Sequence, residues 1–267
     1  MNVTGNYSRK ILSAVIVLYF LLYATVCFCA QFYSNSHGYQ IDLPHGWVEI
    51  PEDVLRENLA NLLKPDAKAS PIYDAGFQLD SADQWFEYPY IIIQLLPYEK
   101  FGLHRQINED EFSGFVHDLT GVNISKLLVE NSSNSVRDLL GNIETGQPQI
   151  DMSNHRFLWI MDNNVRGVGP TRGLAVGYFG RELLVQVMFY CRLSDWDRYS
   201  RVYSTIVDSF RFDPQAAYNL EAPVANSLQQ SIWYSILEKG IVATVLGGII
   251  ALIIGFIKVL KRKKPNT

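Results

Sequence analysis

The residue types that most often carry chemistry are present in this chain but scattered. Its five histidines are His37, His45, His104, His117 and His155. They form no pair one helical turn apart and have no Cys-x-x-Cys partner, so no metal site and no cofactor is expected. No Gly-x-Ser-x-Gly elbow occurs, and Cys191 lies in an apolar run, where a buried free thiol is expected rather than a nucleophile. Gly167-Val168-Gly169-Pro170-Thr171-Arg172-Gly173 is glycine-rich, but Pro170 interrupts it, no lysine follows, and a strand pattern comes next. It therefore reads as a flexible hairpin loop in which Arg166 and Arg172 could bind an anion, not as a phosphate-binding turn into a helix. The runs Glu109-Asp110-Glu111 and Asp195/Asp197 read as helix-start charges. Trp85-Phe86-Glu87-Tyr88-Pro89-Tyr90 leaves two readings open: an interaction surface built on Trp85, Phe86, Tyr88 and Tyr90, or a loop packed on the core. No catalytic residue is assigned.

The elements that must position these residues follow from periodicity. Tyr39, Ile41 and Leu43 alternate with polar residues as in a strand, Pro44-His45-Gly46 breaks it, and Trp47 resumes a second strand. A helix opens at Pro51 with Glu52 and Asp53 in its first turn and Leu55, Leu59 and Leu62 as its stripe. Strands are expected over 72–79 and 88–96, the latter apolar on both faces and so central. A helix over 108–119 follows, capped by Asn108, and Val136, Leu139 and Leu140 hint at a short one. Residues 156–161 read as a strand. Leu174, Val176 and Tyr178 alternate into Gly180-Arg181, and alternation resumes from Leu183 to Cys191, a hairpin with a type II′ turn. Ser194 is placed to cap a last helix whose stripe is Trp196, Tyr199, Tyr203, Ile206, Val207 and Phe210. The order implies an α+β fold, an antiparallel sheet flanked by helices, plus one C-terminal transmembrane helix.

Charge divides the chain. The whole carries −4, yet residues 31–234 hold 15 Lys and Arg against 26 Asp and Glu, a balance of −11. An acidic domain repels phosphate backbones, so nucleic acid is not an expected partner. The basic residues gather at the ends, beside two apolar segments. Arg9-Lys10 precedes residues 11–30, a signal peptide or an uncleaved anchor. Residues 235–260 form the second segment, and Lys261-Arg262-Lys263-Lys264 follows it. Its apolar core, from about Gly240, is long enough to cross a bilayer. The positive-inside rule puts both basic ends in the cytosol and the domain between them, 31–214, on the far side, with 215–234 as a juxtamembrane linker and 261–267 as a cytoplasmic tail. The bilayer is thus one partner. Gly247, Ala251 and Gly255 share one face of the span, spacing that favours self-association but is also common in transmembrane helices.

Tyr39-Gln40-Ile41-Asp42-Leu43-Pro44-His45-Gly46-Trp47 resembles the opening strand and Pro-x-Gly-Trp turn of PsbP/Mog1-like α+β sandwich domains. Ile206-Val207-Asp208-Ser209-Phe210-Arg211-Phe212 resembles their closing helix-into-strand segment. The resemblance implies a fold and brings no catalytic or ligand motif. Three functional expectations remain: a membrane-tethered extracytoplasmic module that binds or assembles with another protein or itself, a membrane-anchored hydrolase with a dispersed site, and a homo-oligomer driven by the transmembrane helix.

Overall fold

The computed structural model describes residues 30–59, 72–101, 140–165 and 168–219. In chain order these form β1 (Ala30–Ser34), β2 (Tyr39–Leu43), β3 (Trp47–Glu49), α1 (Glu52–Leu59), β4 (Ile72–Leu79), β5 (Tyr90–Pro97), β6 (Leu140–Thr145), β7 (Gln149–Asp151), β8 (Arg156–Val165), β9 (Gly169–Phe179), β10 (Leu183–Arg192), α2 (Trp196–Ser209) and β11 (Arg211–Phe212). A large sheet runs β3-β4-β5-β10-β9-β8-β6, with β7 also on β8, and a small one runs β1-β2-β11. Every pairing between named strands is antiparallel. The class is α+β, as the order of elements implied.

Alternation along three neighbouring strands builds the core. Ile93 of β5, Val187 of β10 and Val176 of β9 lie side by side in register, as do Ile91, Phe189 and Leu174. One face of the large sheet is therefore a continuous apolar surface. α2 covers it with Tyr199, Tyr203, Ile206 and Val207, and β2 adds Tyr39, Ile41 and Leu43. Burial of each such side chain is worth roughly 1.5–3 kcal/mol. Residues 90–96 are buried on both faces, as expected of a central strand. The Pro44-His45-Gly46-Trp47 turn is held by Gly46 at φ +87 and by the Asp80 N–H donating to the Gly46 carbonyl at 2.8 Å. This sets Trp47 into the core. At the other end α2 stops at Ser209, Phe210 is extended, and β11 joins β2.

Several local expectations are corrected. The β9–β10 turn is not a type II′ turn led by Gly180. The Gly180 N–H donates to the Leu183 carbonyl, so Arg181 and Glu182 form the turn, and Gly180 does not have positive φ. Glycine is needed there for closeness: a Cβ would lie 2.9 Å from Phe212 Cζ and 3.0 Å from the Ala216 carbonyl oxygen. Ser194 does not cap α2. A 3₁₀ turn, Leu193–Asp195, intervenes, and the Ser194 hydroxyl donates to Asp195 at 3.4 Å. Gly169 to Gly173 belong to β9 rather than to a flexible loop, because each pairs with β8. Leu140 begins a strand instead of ending a helix. β1 was not legible, since its five residues adjoin a long apolar run that masks their alternation. The helix expected over 108–119 and the apolar segments 11–29 and 235–260 lie outside the described residues. Among the described residues no helix is long and apolar enough to cross a membrane.

Candidate functional site

The residues singled out by type do not converge. Phe86 and Tyr90 are buried, while Trp85 and Tyr88 are half-buried. The Phe86 N–H donates to Gln78 Oε1 at 2.7 Å, and Gln78 Nε2 donates to the Gln84 carbonyl at 3.0 Å. Tyr90 meets Tyr88 at 5.3 Å and Tyr190 at 5.1 Å between ring centres. This loop is packed on the core, the second of its two readings. Arg172 lies in β9, donates two 2.6 Å hydrogen bonds to the Asp162 carboxylate and stacks over Trp196 at 5.2 Å. Its hydrogen bonds to Asp162 raise its pKa, so its charge is committed to that carboxylate. Arg166, Gly247, Ala251 and Gly255 lie outside the described residues. Cys191 is buried, and burial pushes its thiol up to about 11, away from reactivity.

Two polar clusters that no spacing revealed lie around the small sheet. The first centres on Asp74 of β4. Its carboxylate accepts from Ser34 Oγ at 2.7 Å and from the Tyr39 hydroxyl at 2.5 Å, and it lies 3.2 Å from His37 Nδ1. The residue types are those of a serine hydrolase, but the wiring is not. His37 Nδ1 faces both Asp74 and, at 3.3 Å, Ser34, and the serine donates to the carboxylate rather than to the imidazole. A relay requires the two ring nitrogens to serve different partners. Burial and then the Asp74 charge push Tyr39 up, and the same two causes raise Glu49. This cluster fastens β1, β2 and β4 together.

The second cluster surrounds a cavity of about 300 Å³ lined by Arg156, Tyr178, Asp208, Phe210, Arg211 and Tyr218 among others. One wall is a strap, Asp213–Asn219, that follows β11. The Asp213 N–H donates to Gly38 at 2.8 Å, the Arg181 N–H donates to Ala216 at 2.8 Å, and Ala217 bridges Gly180. Tyr33 donates to the Asp213 carboxylate at 2.5 Å. The strap ends with Tyr218 stacked on His155, ring centres 4.1 Å apart. His155 is in the left-handed region at φ 46, a conformation that favours glycine or asparagine, which aims its ring at the strap. Residues 215–219, read as the start of a linker, are thus held on the domain.

Within the cavity Tyr178 stacks on Phe210 at 3.7 Å and donates to the Val207 carbonyl at 2.9 Å. Arg156 Nε donates to Asp151 at 2.8 Å and its Nη1 to Asp208 at 3.4 Å. Burial opposes its charge, but the bonds to Asp151 and Asp208 outweigh that and raise its pKa. Hydrogen bonds from Asn154 and then Arg156 hold Asp151 below the usual carboxylate range. Burial raises Tyr178, with Arg156 opposing. These shifts hold Arg156 and Asp151 charged and Tyr178 uncharged near neutral pH, which suits fixed protonation states rather than proton transfer. A second, larger groove of about 550 Å³ is lined by Leu158, Ile160, Leu174 and the Asp162–Arg172 pair among others.

No family model matches the chain, and no curated protein matches it either. Solved structures do match. The chain is similar to PsbP (CyanoP) from Synechocystis sp. PCC 6803, at 15% identity and a TM-score of 0.39, over 70% of this chain and 94% of that one. It is also similar to LpqN, a protein involved in cell envelope biogenesis of Mycobacterium tuberculosis, at 12% identity and 0.34, over 69% and 90%. A crystal structure from Bacteroides thetaiotaomicron VPI-5482 shares 10% identity at 0.33, over 69% of this chain and 48% of that one. PsbP, the family that two short motifs resemble, is thus among the solved structures to which the chain is similar. Similarity of this degree leaves function to the residues themselves.

Proposed function

We propose that this chain is a membrane-tethered binding module whose α+β domain lies outside the cytosol, with the cavity under the strap as its ligand seat. The carrying observation is that cavity. It joins charged and aromatic side chains from β8, β9, α2, β11 and the strap around open space, and of its lining Arg156 and Tyr178 both have raised pKa values. Small-molecule sites are concave, with a few convergent polar groups in otherwise apolar walls. Tethering is supported by the two apolar segments with basic flanks.

The test is a topology and processing assay on the full chain with a C-terminal tag. The expected result is that protease added outside intact cells cuts the domain and leaves the tag protected. Loss of about 30 residues from the mature mass indicates a cleaved signal, and a full-length mass indicates an anchor at each end. A domain protected from outside protease overturns the reading. Self-association through Gly247, Ala251 and Gly255 is a separate reading, that of a homo-oligomer driven by the transmembrane helix. Gly247→Leu is expected to reduce oligomer size in detergent, and an unchanged size removes that reading.

A further inference from the structure

We propose that the cavity under the strap takes a small organic oxyanion, a carboxylate or phosphate monoester carried on a flat apolar group. The inference rests on the binding-module reading and names its ligand. In a domain with a strongly acidic balance, this cavity is lined by two arginines against one aspartate, with Asp208 as the acid. That acid is largely exposed and reaches Arg156 only at 3.4 Å, so water screens it and it neutralises little. Arg156 is also bonded to Asp151 through Nε and to Tyr178, and Arg211 reaches Asp42 through one Nη2 contact at 3.2 Å. A guanidinium has more N–H donors than these bonds use, and its planar fork matches a carboxylate or phosphate edge.

The rest of the lining selects the ligand's other half. Tyr178 and Phe210 present a stacked pair, Phe212 stands edge-on to Phe210 at 5.0 Å, and Tyr218 closes the strap side. Flat apolar groups pack well against such rings. The volume of about 300 Å³ suits a small molecule rather than a polymer. Since Ala217 and Tyr218 are part of the wall, an occupant also holds the strap against the domain.

The experiment uses the full chain in detergent, with calorimetry and thermal denaturation as readouts. The probes are inorganic phosphate, benzoate, phenyl phosphate and, as a neutral match, benzyl alcohol. Benzoate or phenyl phosphate is expected to bind and raise Tm, with benzyl alcohol binding at least tenfold more weakly. Arg211→Gln is expected to weaken the anion at least tenfold. Arg156→Gln should do the same, but it also breaks the pair with Asp151, so Arg211, at the more exposed rim, decides the matter. Protection of the strap from protease on binding is the independent readout. Binding to phosphatidylglycerol vesicles that is lost in Arg211→Gln supports the site with a lipid headgroup as its anion, and binding of soluble probes alone supports a free anion. If benzyl alcohol binds as well as benzoate, the anion proposal falls while the binding module stands. If no probe or vesicle binds, or Arg211→Gln changes nothing, the proposal also falls. A domain found on the cytosolic side removes the module's placement and leaves the anion site standing.

Discussion

The Asp74 cluster and the strap cavity lie around the same small sheet and draw on the same kinds of side chain, yet they are finished differently. At Asp74 one carboxylate takes bonds from Ser34 and Tyr39, both buried, and has His37 beside it. Neither of the two cavities described above is lined by Asp74, Ser34, Tyr39 or His37. Around Arg156 and Arg211 the donors outnumber the acceptors, and about 300 Å³ of space is left between them. A buried polar group satisfied on all sides contributes stability and specificity, whereas donors left over beside open space contribute binding. The contrast separates a fastener from a seat even though the fastener has the more suggestive residue types.

Breaking the fastener should produce the largest effect. Asp74→Ala leaves the Tyr39 hydroxyl and Ser34 Oγ buried without their acceptor, at a cost of roughly 3 kcal/mol. Urea denaturation of the full chain in detergent measures it, and a loss below about 0.5 kcal/mol would place Asp74 among ordinary surface positions. Next comes Gly180→Ala. Its methyl would press on the Ala216 carbonyl and the Phe212 ring, with an expected cost of about 1–3 kcal/mol. Limited proteolysis should then cut within 213–219 sooner than in the parent, and an unchanged rate would detach the strap from Gly180. Arg211→Gln sharpens the comparison from the other side. It should change stability by less than about 0.5 kcal/mol, since its pair with Asp42 is half-exposed. If it destabilises as much as Asp74→Ala, the cavity is a fastener too and the contrast collapses.

The smallest effect is a pH slope. Asp151 is held below the usual carboxylate range, so on acidification the unfolded chain binds its proton first. Stability from this pair is complete above the unfolded value of about 3.9 and is lost as pH falls through the lower folded value. Asp151→Asn should therefore flatten the acid limb of the stability curve and leave its shape near neutrality unchanged. Denaturation series from pH 3 to 7 would show an identical acid limb if Asp151 were not coupled to folding.

Much of the core was legible. Alternation in residues 174–178 and 183–191 and the stripe from Tyr199 to Val207 named the facing surfaces correctly, because side-chain direction follows directly from the strand and helix repeats. The Gly180 turn was not legible, because a glycine required for closeness looks the same in sequence as one required for positive φ. Arg172 also read differently: as a residue in a glycine-rich stretch it suggested a free cation, and only the register of β8 with β9 places it opposite Asp162. A left-handed His155 just before a strand is the one local sign of the cavity, and it carries meaning only once Tyr218 lies against it.

The sequence by itself determined the strands and helices of the core, the expectation of two membrane segments, and the class of the domain. Each of these depends on local periodicity or composition, which neighbouring residues record. The tertiary structure alone decided that Ser34 and His37 meet Asp74, and that Arg156, Asp208, Arg211 and Tyr218 share one cavity. Those meetings are set by strand register and by the path of the strap across the sheet, and no local pattern encodes where distant segments come together.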